Sequence, residues 1–360
     1  RRAMARRHHL ATAMVLATTA AANAARNVTV AAYLPEWRYA GANYADMCSV
    51  ITHLIFFSLE VGINGQLGAL DRLPPTDIRK QARANCQKLL ICVGGNGRSA
   101  GFSAAVSTKR SRAAFIAHLL KLSNRLQLDG VDYNWEYPGY AFGRGYADDA
   151  AVSRDYRGLS RLVAETKAAF APSGKIVTLA YYPDGRQERL LAAHGVAAHA
   201  DAMHMMAYDQ GGRHSTFELA DASARQGAQL LPPQKLTLGL PFYARKISTG
   251  EWKSYEDLLK SPSVLEQPDS DEVDGWYYNS RAMLRRKTEL ALALGLQGVM
   301  IWEAGQDCRV NEVRRGGNVH VQTCPGGSSH SLLHAISEAV EAAADSRRGV
   351  PGDAKTREEL

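Results

Sequence analysis

Short apolar and β-branched runs recur along this 360-residue chain, and stretches with helical spacing separate them. Phe115, Leu119 and Leu122, for example, recur at every third or fourth position and so share one face of a helix. Strands that alternate with helices are typical of a parallel sheet covered by helices. The runs that qualify as strands are eight: 28–33, 51–59, 88–93, 128–136, 175–181, 202–208, 235–240 and 297–302. The pattern predicts an α/β fold, a single (β/α)8 TIM barrel.

The overall composition limits the class of protein. The length would accommodate two average domains, or one barrel of roughly 250 residues with extensions. Hydrophobic residues make up 46% of the chain, which is enough to fill a core. The net charge is +7, but basic residues are scattered, so we expect a basic solvated surface and no nucleic-acid partner. Beyond the N-terminal region no run of about 20 apolar residues occurs, so no membrane partner is expected.

The segment 129–138 is the most informative about function. It reads Asp-Gly-Val-Asp-Tyr-Asn-Trp-Glu-Tyr-Pro, and Asp132, Asn134 and Glu136 alternate with apolar and aromatic residues. A β-strand would direct these three polar side chains to one face. Burying them is costly unless each is hydrogen-bonded or takes part in chemistry. Glu136 is the last of them and lies nearest the strand's C-terminal end, where barrels place reacting groups, so it is the candidate general acid.

This segment resembles the signature Asp-Gly-x-Asp-x-Asp-x-Glu of glycoside hydrolase family 18, the chitinase family. Further segments resemble the family's other strand motifs, in the family's order: 33–37, 52–57, 88–95, 205–209, 235–245 and 298–307. The resemblance runs from about residue 28 to about residue 340. It implies a barrel-shaped catalytic domain over residues 25–344.

The resemblance also implies a mechanism and a set of site residues. Family 18 is the retaining exception in which the substrate's own N-acetyl carbonyl attacks the anomeric carbon. Glu136 would be the general acid and base, Asn134 would orient the acetamide N–H, Asp132 would be a charge and proton partner behind it, and Tyr208 would bind the acetamide oxygen. Trp302 would form the apolar floor, and Trp37 would stack on a sugar toward the non-reducing end. The implied substrate-binding set comprises Tyr33, Trp37, Gly95, Asn96, Tyr137, Met206, Asp209, Tyr243, Met300 and Trp302.

Two residues depart from the family pattern. Asn134 stands where the family has its third Asp, so it accepts the acetamide N–H through its carbonyl but brings no charge to the intermediate. One fewer carboxylate near Glu136 is expected to lower the pKa of that group. Asn96 stands where many members place a Trp, which removes a stacking surface on the leaving-group side. We therefore expect activity, but not high activity.

Residues 246–278 separate the seventh strand from its helix and exceed the usual length of a βα loop. Many family members carry an insertion domain there, for which this segment is too short, so a shallower or more open cleft is expected. A last helix is predicted over 331–344. The charged segment 345–360 is poor in apolar residues and is predicted to be disordered.

The N-terminal residues suggest export. A basic head is followed by a short apolar stretch and the small residues Ala22 and Ala24, a pattern typical of a secretory signal peptide over residues 1–24. Asn27-Val-Thr29 is a possible glycosylation acceptor. The segment Arg357-Glu358-Glu359-Leu360 resembles a retrieval signal of the endoplasmic reticulum. We expect a protein of the secretory pathway that is extracellular, or retained through this segment.

Five cysteines in an exported chain suggest disulfides with one thiol left over. Cys48 and Cys86 precede adjacent predicted strands, so both lie at the bottom of the barrel and could pair. Cys308 and Cys324 flank a Gly-rich loop and could close it. Cys92 lies inside an apolar strand and is expected to be a free buried thiol. No Cys-x-x-Cys spacing occurs, and neither a metal site nor a cofactor is expected.

The leading hypothesis is a monomeric secreted enzyme that hydrolyses β-1,4-linked N-acetylglucosamine polymers, chitin or its oligosaccharides. A binding protein without activity is the first alternative, but such family members usually lose the acid, and Glu136 is present here. An endo-β-N-acetylglucosaminidase that acts on N-glycans is the second. The motifs around Glu136 and Trp302 resemble the chitinase branch more closely.

Overall fold

The computed structural model describes residues 28–310 and 323–348. The segment predicted to be a signal peptide, Asn27 of the glycosylation acceptor and the residues 357–360 of the predicted retrieval signal lie outside the described residues. Among the helices that are described, none is long and apolar enough to cross a membrane.

Eight parallel strands form a closed barrel. Strand β1 (Thr29–Pro35) pairs with β2 (His53–Val61), where Ala31 lies opposite His53. It also pairs with β8 (Gly298–Trp302), where Thr29 lies opposite Gly298, so the sheet has no open edge. This confirms the predicted (β/α)8 architecture. The strands are β1 Thr29–Pro35, β2 His53–Val61, β3 Lys88–Gly94, β4 Gly130–Asn134, β5 Ile176–Tyr181, β6 Ala202–Met205, β7 Leu236–Pro241 and β8 Gly298–Trp302.

One principal helix follows each strand. Side-chain caps fix several helix starts: Thr108 Oγ1 accepts from the Ser111 backbone N–H at 3.0 Å, and Asp148 Oδ1 accepts from that of Ala151 at 2.8 Å. The last helix runs four residues into the segment predicted to be a disordered tail. The helices are α1 Tyr44–Val50, α2 Thr76–Asn85, α3 Lys109–Arg125, α4 Asp149–Phe170, α5 Arg186–Ala193, α6 Phe217–Leu230, α7 Arg281–Ala293 and α8 Leu332–Arg348.

The alternation of side chains along β4 divides the core into two parts. Tyr133 points to the helix layer, where its hydroxyl lies 2.8 Å from Thr166 Oγ1, and Trp135 stacks on Phe102 at 5.0 Å between ring centroids. Asp132 and its neighbours of the same parity point into the barrel. The apolar interior of the barrel consists of Ala31, Tyr33, Ile55, Phe57, Leu90, Cys92, Ala180, Met206, Tyr208, Tyr243 and Met300.

The predicted short insertion lies between β7 and α7. Its strands Tyr243–Lys246, Trp252–Ser254, Glu272–Val273 and Trp276–Tyr277 form a small antiparallel sheet. Two short helices, Tyr255–Leu258 and Pro262–Glu266, connect its second and third strands. The insertion starts three residues earlier than predicted, because the chain turns directly from β7 into the first of these strands.

Both cysteine pairs that the sequence suggests are disulfide-bonded, Cys48 with Cys86 and Cys308 with Cys324. Cys92 is a buried free thiol, as predicted. The first disulfide ties α1 to the chain just before β3, at the bottom of the barrel. The second ties the residues after β8 to the chain just before α8.

Candidate active site

The chain around β4 sets the position of the central acids. Asp132 and Asn134 lie in the strand and are buried, whereas Glu136 follows two residues beyond its end and reaches a cavity. The Asn134 carbonyl accepts from the Gly95 backbone N–H at 2.7 Å. A Cβ at Gly94 would lie 2.3 Å from that same carbonyl oxygen, so only glycine allows β3 to approach β4 this closely.

A cavity of about 340 Å³ opens at the C-terminal ends of the barrel strands. Most of the predicted site residues line it; the exceptions are Asp132, Gly95, Tyr243 and Met300, which lie behind the surface. Its lining is Tyr33, Trp37, Phe57, Asn96, Arg98, Asn134, Glu136, Tyr137, Tyr182, Met206, Tyr208, Asp209, Arg245 and Trp302.

Burial controls the protonation of Glu136. Desolvation raises the pKa of its carboxyl to about 7, and the negative charge of Asp209 acts in the same direction. Hydrogen bonds from the Asn134 side chain, at 3.1 Å to Oε1, and from the Asn96 backbone oppose this rise. The hydrogen bond from Asn134 lowers the pKa of Glu136, whereas a carboxylate at position 134 would raise it, but desolvation is the larger effect. A large fraction of Glu136 is therefore protonated near neutral pH and can donate a proton.

The Asn134 amide presents an unused acceptor. Its Nδ2 donates to Glu136, but its Oδ1 is buried and has no hydrogen-bond partner in the described residues. A buried amide oxygen without a donor is costly and rare in folded proteins. The arrangement is suited to a ligand that brings an N–H group to this oxygen.

Asp132 is fully engaged by protein donors. Its Oδ2 accepts from the Tyr33 hydroxyl at 2.8 Å and its Oδ1 from the Thr178 hydroxyl at 2.7 Å. Burial raises the pKa of Asp132, and these hydrogen bonds, together with one from Cys92, oppose the rise. His204 Nε2 lies 3.7 Å from Oδ1, and burial lowers the pKa of this histidine to about 3, so the ring is neutral. Asp132 thus lies behind the cavity surface, with both carboxylate oxygens hydrogen-bonded to the protein.

Aromatic rings form the floor of the cavity. The Trp302 ring packs against Phe57 at 4.7 Å and Tyr33 at 5.5 Å between centroids. A Cβ at Gly95 would lie 2.4 Å from the Phe57 ring, so this glycine makes room for the floor. Tyr208 points its hydroxyl toward Met300 Sδ at 3.7 Å, a weak contact that leaves the O–H available.

Asp209 forms the opposite wall. Its Oδ1 accepts from the Tyr243 hydroxyl at 2.6 Å and from Arg245 Nη2 at 2.8 Å. Tyr243, predicted to bind substrate, lies behind the cavity surface and hydrogen-bonds to Asp209. Arg245 comes from the insertion sheet, which supplies this part of the wall.

Four residues that line the cavity were not predicted from the sequence: Phe57, Arg98, Tyr182 and Arg245. Tyr182 directly follows β5, so the rule that barrel sites form at the C-terminal strand ends would have found it. Phe57 is the middle residue of β2 but lies opposite Pro35, the last residue of β1, so it too lies near that end of the barrel. Arg98 lies between Trp37 and Phe57, 5.8 Å and 5.0 Å from their ring centroids, and pairs with Glu36 at 2.8 Å. No pattern in the sequence marks this contact, because it joins three separate segments of the chain.

Within residues 28–310 and 323–348, no group of three or more His, Cys, Asp or Glu side chains is arranged to hold a metal ion. His330 and His334 are four positions apart, a spacing that can ligate metals, but His334 Nε2 lies 3.4 Å from Asp46 Oδ1.

Comparison with known proteins agrees with this geometry. The family model "Glycosyl hydrolases family 18" matches residues 29–307. A probable chitinase 2 of Drosophila melanogaster is 24% identical over 330 residues, which cover 72% of this chain and 65% of that protein. An endochitinase of Manduca sexta is 26% identical over 281 residues, which cover 66% of this chain and 49% of that protein.

The chain thus spans about half to two thirds of the length of these relatives. Among solved structures, a family 18 chitinase from the chitin utilization locus of Flavobacterium johnsoniae superposes with a TM-score of 0.66 and 24% identity. That match covers 87% of this chain and 94% of the other, and it shows a shared fold. The fold and the site define a glycoside hydrolase barrel. The chain belongs to glycosyl hydrolase family 18.

Proposed function

We propose that the protein hydrolyses β-1,4-linked N-acetylglucosamine polymers, chitin or chitooligosaccharides, with retention of configuration. The observation that carries the proposal is Glu136, a carboxyl with a raised pKa, hydrogen-bonded to an amide whose buried oxygen lacks a donor. A 2-acetamido group supplies the missing N–H donor. Chitinase names among the relatives support the substrate class.

The positions of the other carboxylates favour a nucleophile from the substrate. Most retaining glycosidases use a second carboxylate close to the acid. Asp132 is buried, and both of its carboxylate oxygens accept hydrogen bonds. Asp209 Oδ1 accepts hydrogen bonds from the Tyr243 hydroxyl and from Arg245. Neither carboxylate has both oxygens free, which favours the acetamide carbonyl of the substrate in that role.

The steps follow from these positions. Glu136 donates its proton to the glycosidic oxygen while the acetamide oxygen bonds to the anomeric carbon, and the C–O bond to the leaving sugar breaks. Asn134 Oδ1 accepts the acetamide N–H, and the Tyr208 hydroxyl donates to the acetamide oxygen. Glu136, now a carboxylate, takes a proton from water as that water attacks the anomeric carbon and opens the oxazolinium ring. The product keeps the starting configuration.

A test of this function is the release of fluorophore from a chitotrioside as a function of pH, with the matching cellotrioside as control. Because the acid form of Glu136 is required, kcat/KM should fall as the pH rises through about 7. Asp209→Asn removes a negative charge that raises the pKa of Glu136, so this variant should move the alkaline limb to lower pH. The control variant Asp221→Asn, on the surface of α6, should leave the pH of the alkaline limb unchanged.

Hydrolysis of the cellotrioside at a similar rate would contradict the role of the acetamide, because that sugar carries a hydroxyl instead. Absence of turnover on the chitotrioside at every pH would favour the alternative of a chitin-binding protein. One observation favours that alternative: Asn134 places a neutral amide where the family has a carboxylate.

Two disulfide bonds in the described residues support a location in an oxidising compartment. Structural disulfides persist outside the reducing cytosol. We therefore keep the secretory pathway as the proposed location.

A further inference from the structure

A buried lysine lies behind the wall of the catalytic cavity. Lys287 belongs to α7, and its ammonium donates to the Ser215 carbonyl at 2.8 Å, to the Ser215 hydroxyl at 2.9 Å and to Asn279 Oδ1 at 2.8 Å. All three acceptors are neutral oxygens, and burial lowers the pKa of Lys287 to about 7. A charged group in such surroundings is costly, and an apolar side chain would fill the same space at a lower cost. This cost points to a task beyond packing.

Three donors converge on the backbone carbonyl of Ser215. Besides Lys287, the Asn279 side-chain amide donates to it at 2.9 Å and the Tyr277 hydroxyl at 3.3 Å. Ser215 lies in the loop between β6 and α6, whereas all three donors come from the chain that follows β7. The loop is therefore fastened to the next unit of the barrel at a single backbone oxygen.

The same loop carries Asp209, which lines the catalytic cavity. Asp209 has a φ angle of 67°, a left-handed conformation that a residue other than glycine keeps only when its surroundings hold it there. The Gln210 backbone N–H donates to the His214 carbonyl at 3.2 Å, so the segment between Asp209 and Ser215 closes on itself. A displacement of Ser215 is therefore transmitted to Asp209.

The ring of His214 forms a second connection to Asp209. His214 directly precedes Ser215, and its buried ring stacks on the Tyr243 ring at 4.7 Å between centroids. The Tyr243 hydroxyl in turn donates to Asp209 Oδ1 at 2.6 Å. The anchored carbonyl thus supports Asp209 both through the backbone of the loop and through this pair of rings.

We propose that Lys287 is a positioning residue: by fixing Ser215, it holds Asp209 in place at the wall of the catalytic cavity. The proposal rests on the function proposed above, in which the negative charge of Asp209 raises the pKa of Glu136. Lys287 is not a catalytic residue, because it lies behind the residues that line the cavity. Without this anchor Asp209 moves away from Glu136, and the pKa of Glu136 falls.

The test is the pH dependence of kcat/KM on a fluorogenic chitotrioside for the variant Lys287→Met. Met is similar in length but uncharged, so it fills the space without making the three hydrogen bonds. We expect kcat/KM to fall about ten-fold and the alkaline limb to move to lower pH, as in Asp209→Asn. The direction of the shift is informative, because the loss of a positive charge alone would raise the pKa of Glu136 and move the limb to higher pH.

The double variant Lys287→Met/Asp209→Asn shows whether Lys287 acts through Asp209. We expect no further shift of the limb relative to Asp209→Asn, because the charge that Lys287 positions is already absent. The matched control is Thr288→Val, at the next residue of α7. Thr288 is as deeply buried as Lys287, and its hydroxyl donates within the helix to the Leu284 carbonyl at 2.8 Å. This control should leave the limb unchanged.

Ser215→Ala is a milder second variant for the case that Lys287→Met does not fold. It removes the hydroxyl that accepts from Lys287 but keeps the anchored carbonyl, so it should move the limb in the same direction by a smaller amount. Amide hydrogen exchange of Gln210 provides a readout that needs no turnover. Its N–H bonds to the His214 carbonyl inside the loop, so it should exchange about ten-fold faster in Lys287→Met.

A limb that stays in place or moves to higher pH in Lys287→Met would overturn the positioning role. Disappearance of the limb would also overturn it, because the limb would then belong to the titration of Lys287 itself. A further shift in the double variant would show that Lys287 does not act through Asp209. If the parent protein does not cleave the chitotrioside, the proposed function fails, and exchange at Gln210 decides the anchor by itself: an unchanged rate would overturn it.

Discussion

Replacing Glu136 with Gln is expected to lower kcat on a fluorogenic chitotrioside about 10³-fold while the affinity for the oligosaccharide stays nearly unchanged. Gln has the same shape and its carbonyl can still accept from Asn134 Nδ2, which donates to Glu136 at 3.1 Å. It cannot donate a proton to the glycosidic oxygen. Steady-state kinetics together with calorimetry separates the two effects.

Glu303→Gln provides the matched control. Burial also raises the pKa of Glu303 to about 7, but its carboxylate binds Arg38 and the Gly305 N–H and does not line the catalytic cavity. This variant is expected to lower the thermal stability, because Arg38 loses a buried partner, and to leave kcat within about ten-fold. Equal losses of kcat in both variants would mean that Glu136 is not the proton donor.

Restoring a carboxylate with Asn134→Asp is expected to increase kcat by about one to two orders of magnitude. Asp would place a negative charge beside the oxazolinium ion, where Asn134 offers only a dipole. It would also replace the N–H donor to Glu136 with a second carboxylate, which raises the pKa of Glu136 above about 7. The alkaline limb of the rate should therefore move to higher pH.

The variant Asn96→Asp separates the effect of a charge beside the oxazolinium ion from the effect on the pKa of Glu136. Asn96 also lines the catalytic cavity, so a carboxylate there raises the pKa of Glu136 without lying beside the acetamide site. We expect this control to shift the pH profile with no gain in the maximal rate. If Asn134→Asp lowers the rate, the residues around position 134 are adapted to the amide, and the electrostatic account of this position is wrong.

The eight apolar runs and the helical stretches between them were sufficient to predict the barrel. Each predicted strand corresponds to an observed one, because strands buried on both faces are near-continuous apolar runs. The exception is β4, which carries Asp132 and Asn134 into the barrel. The C-terminal bounds were less accurate at the site. β4 ends at Asn134 and β6 at Met205, earlier than predicted, because Glu136 and Tyr208 lie in the loops that follow these strands. The alternation of polar and apolar residues continues into such a loop, so it does not show at which residue the hydrogen bonds between the strands end.

The protonation of the site was harder to predict. The sequence shows that Asn134 adds no charge next to Glu136, but it does not show how deeply Glu136 is buried. Desolvation depends on loops from distant parts of the chain, and it exceeds the effect of the single neighbour. Between β4 and α4, the strands Tyr140–Ala141 and Gly145–Tyr146 form an antiparallel hairpin, which was not predicted for a related reason. Its aromatic residues follow no strand or helix period, and only the folded chain places them beside the acid.

The configuration of the first product tests the central claim most directly, because substrate-assisted hydrolysis at Glu136 must retain it. Proton NMR of chitotetraose during the first minutes of hydrolysis distinguishes the anomers before they interconvert. The account predicts that the β-anomer is released first and that the α-anomer grows in only by mutarotation. Initial release of the α-anomer would show that water attacks the anomeric carbon directly, and would contradict a reaction in which the acetamide group is the nucleophile.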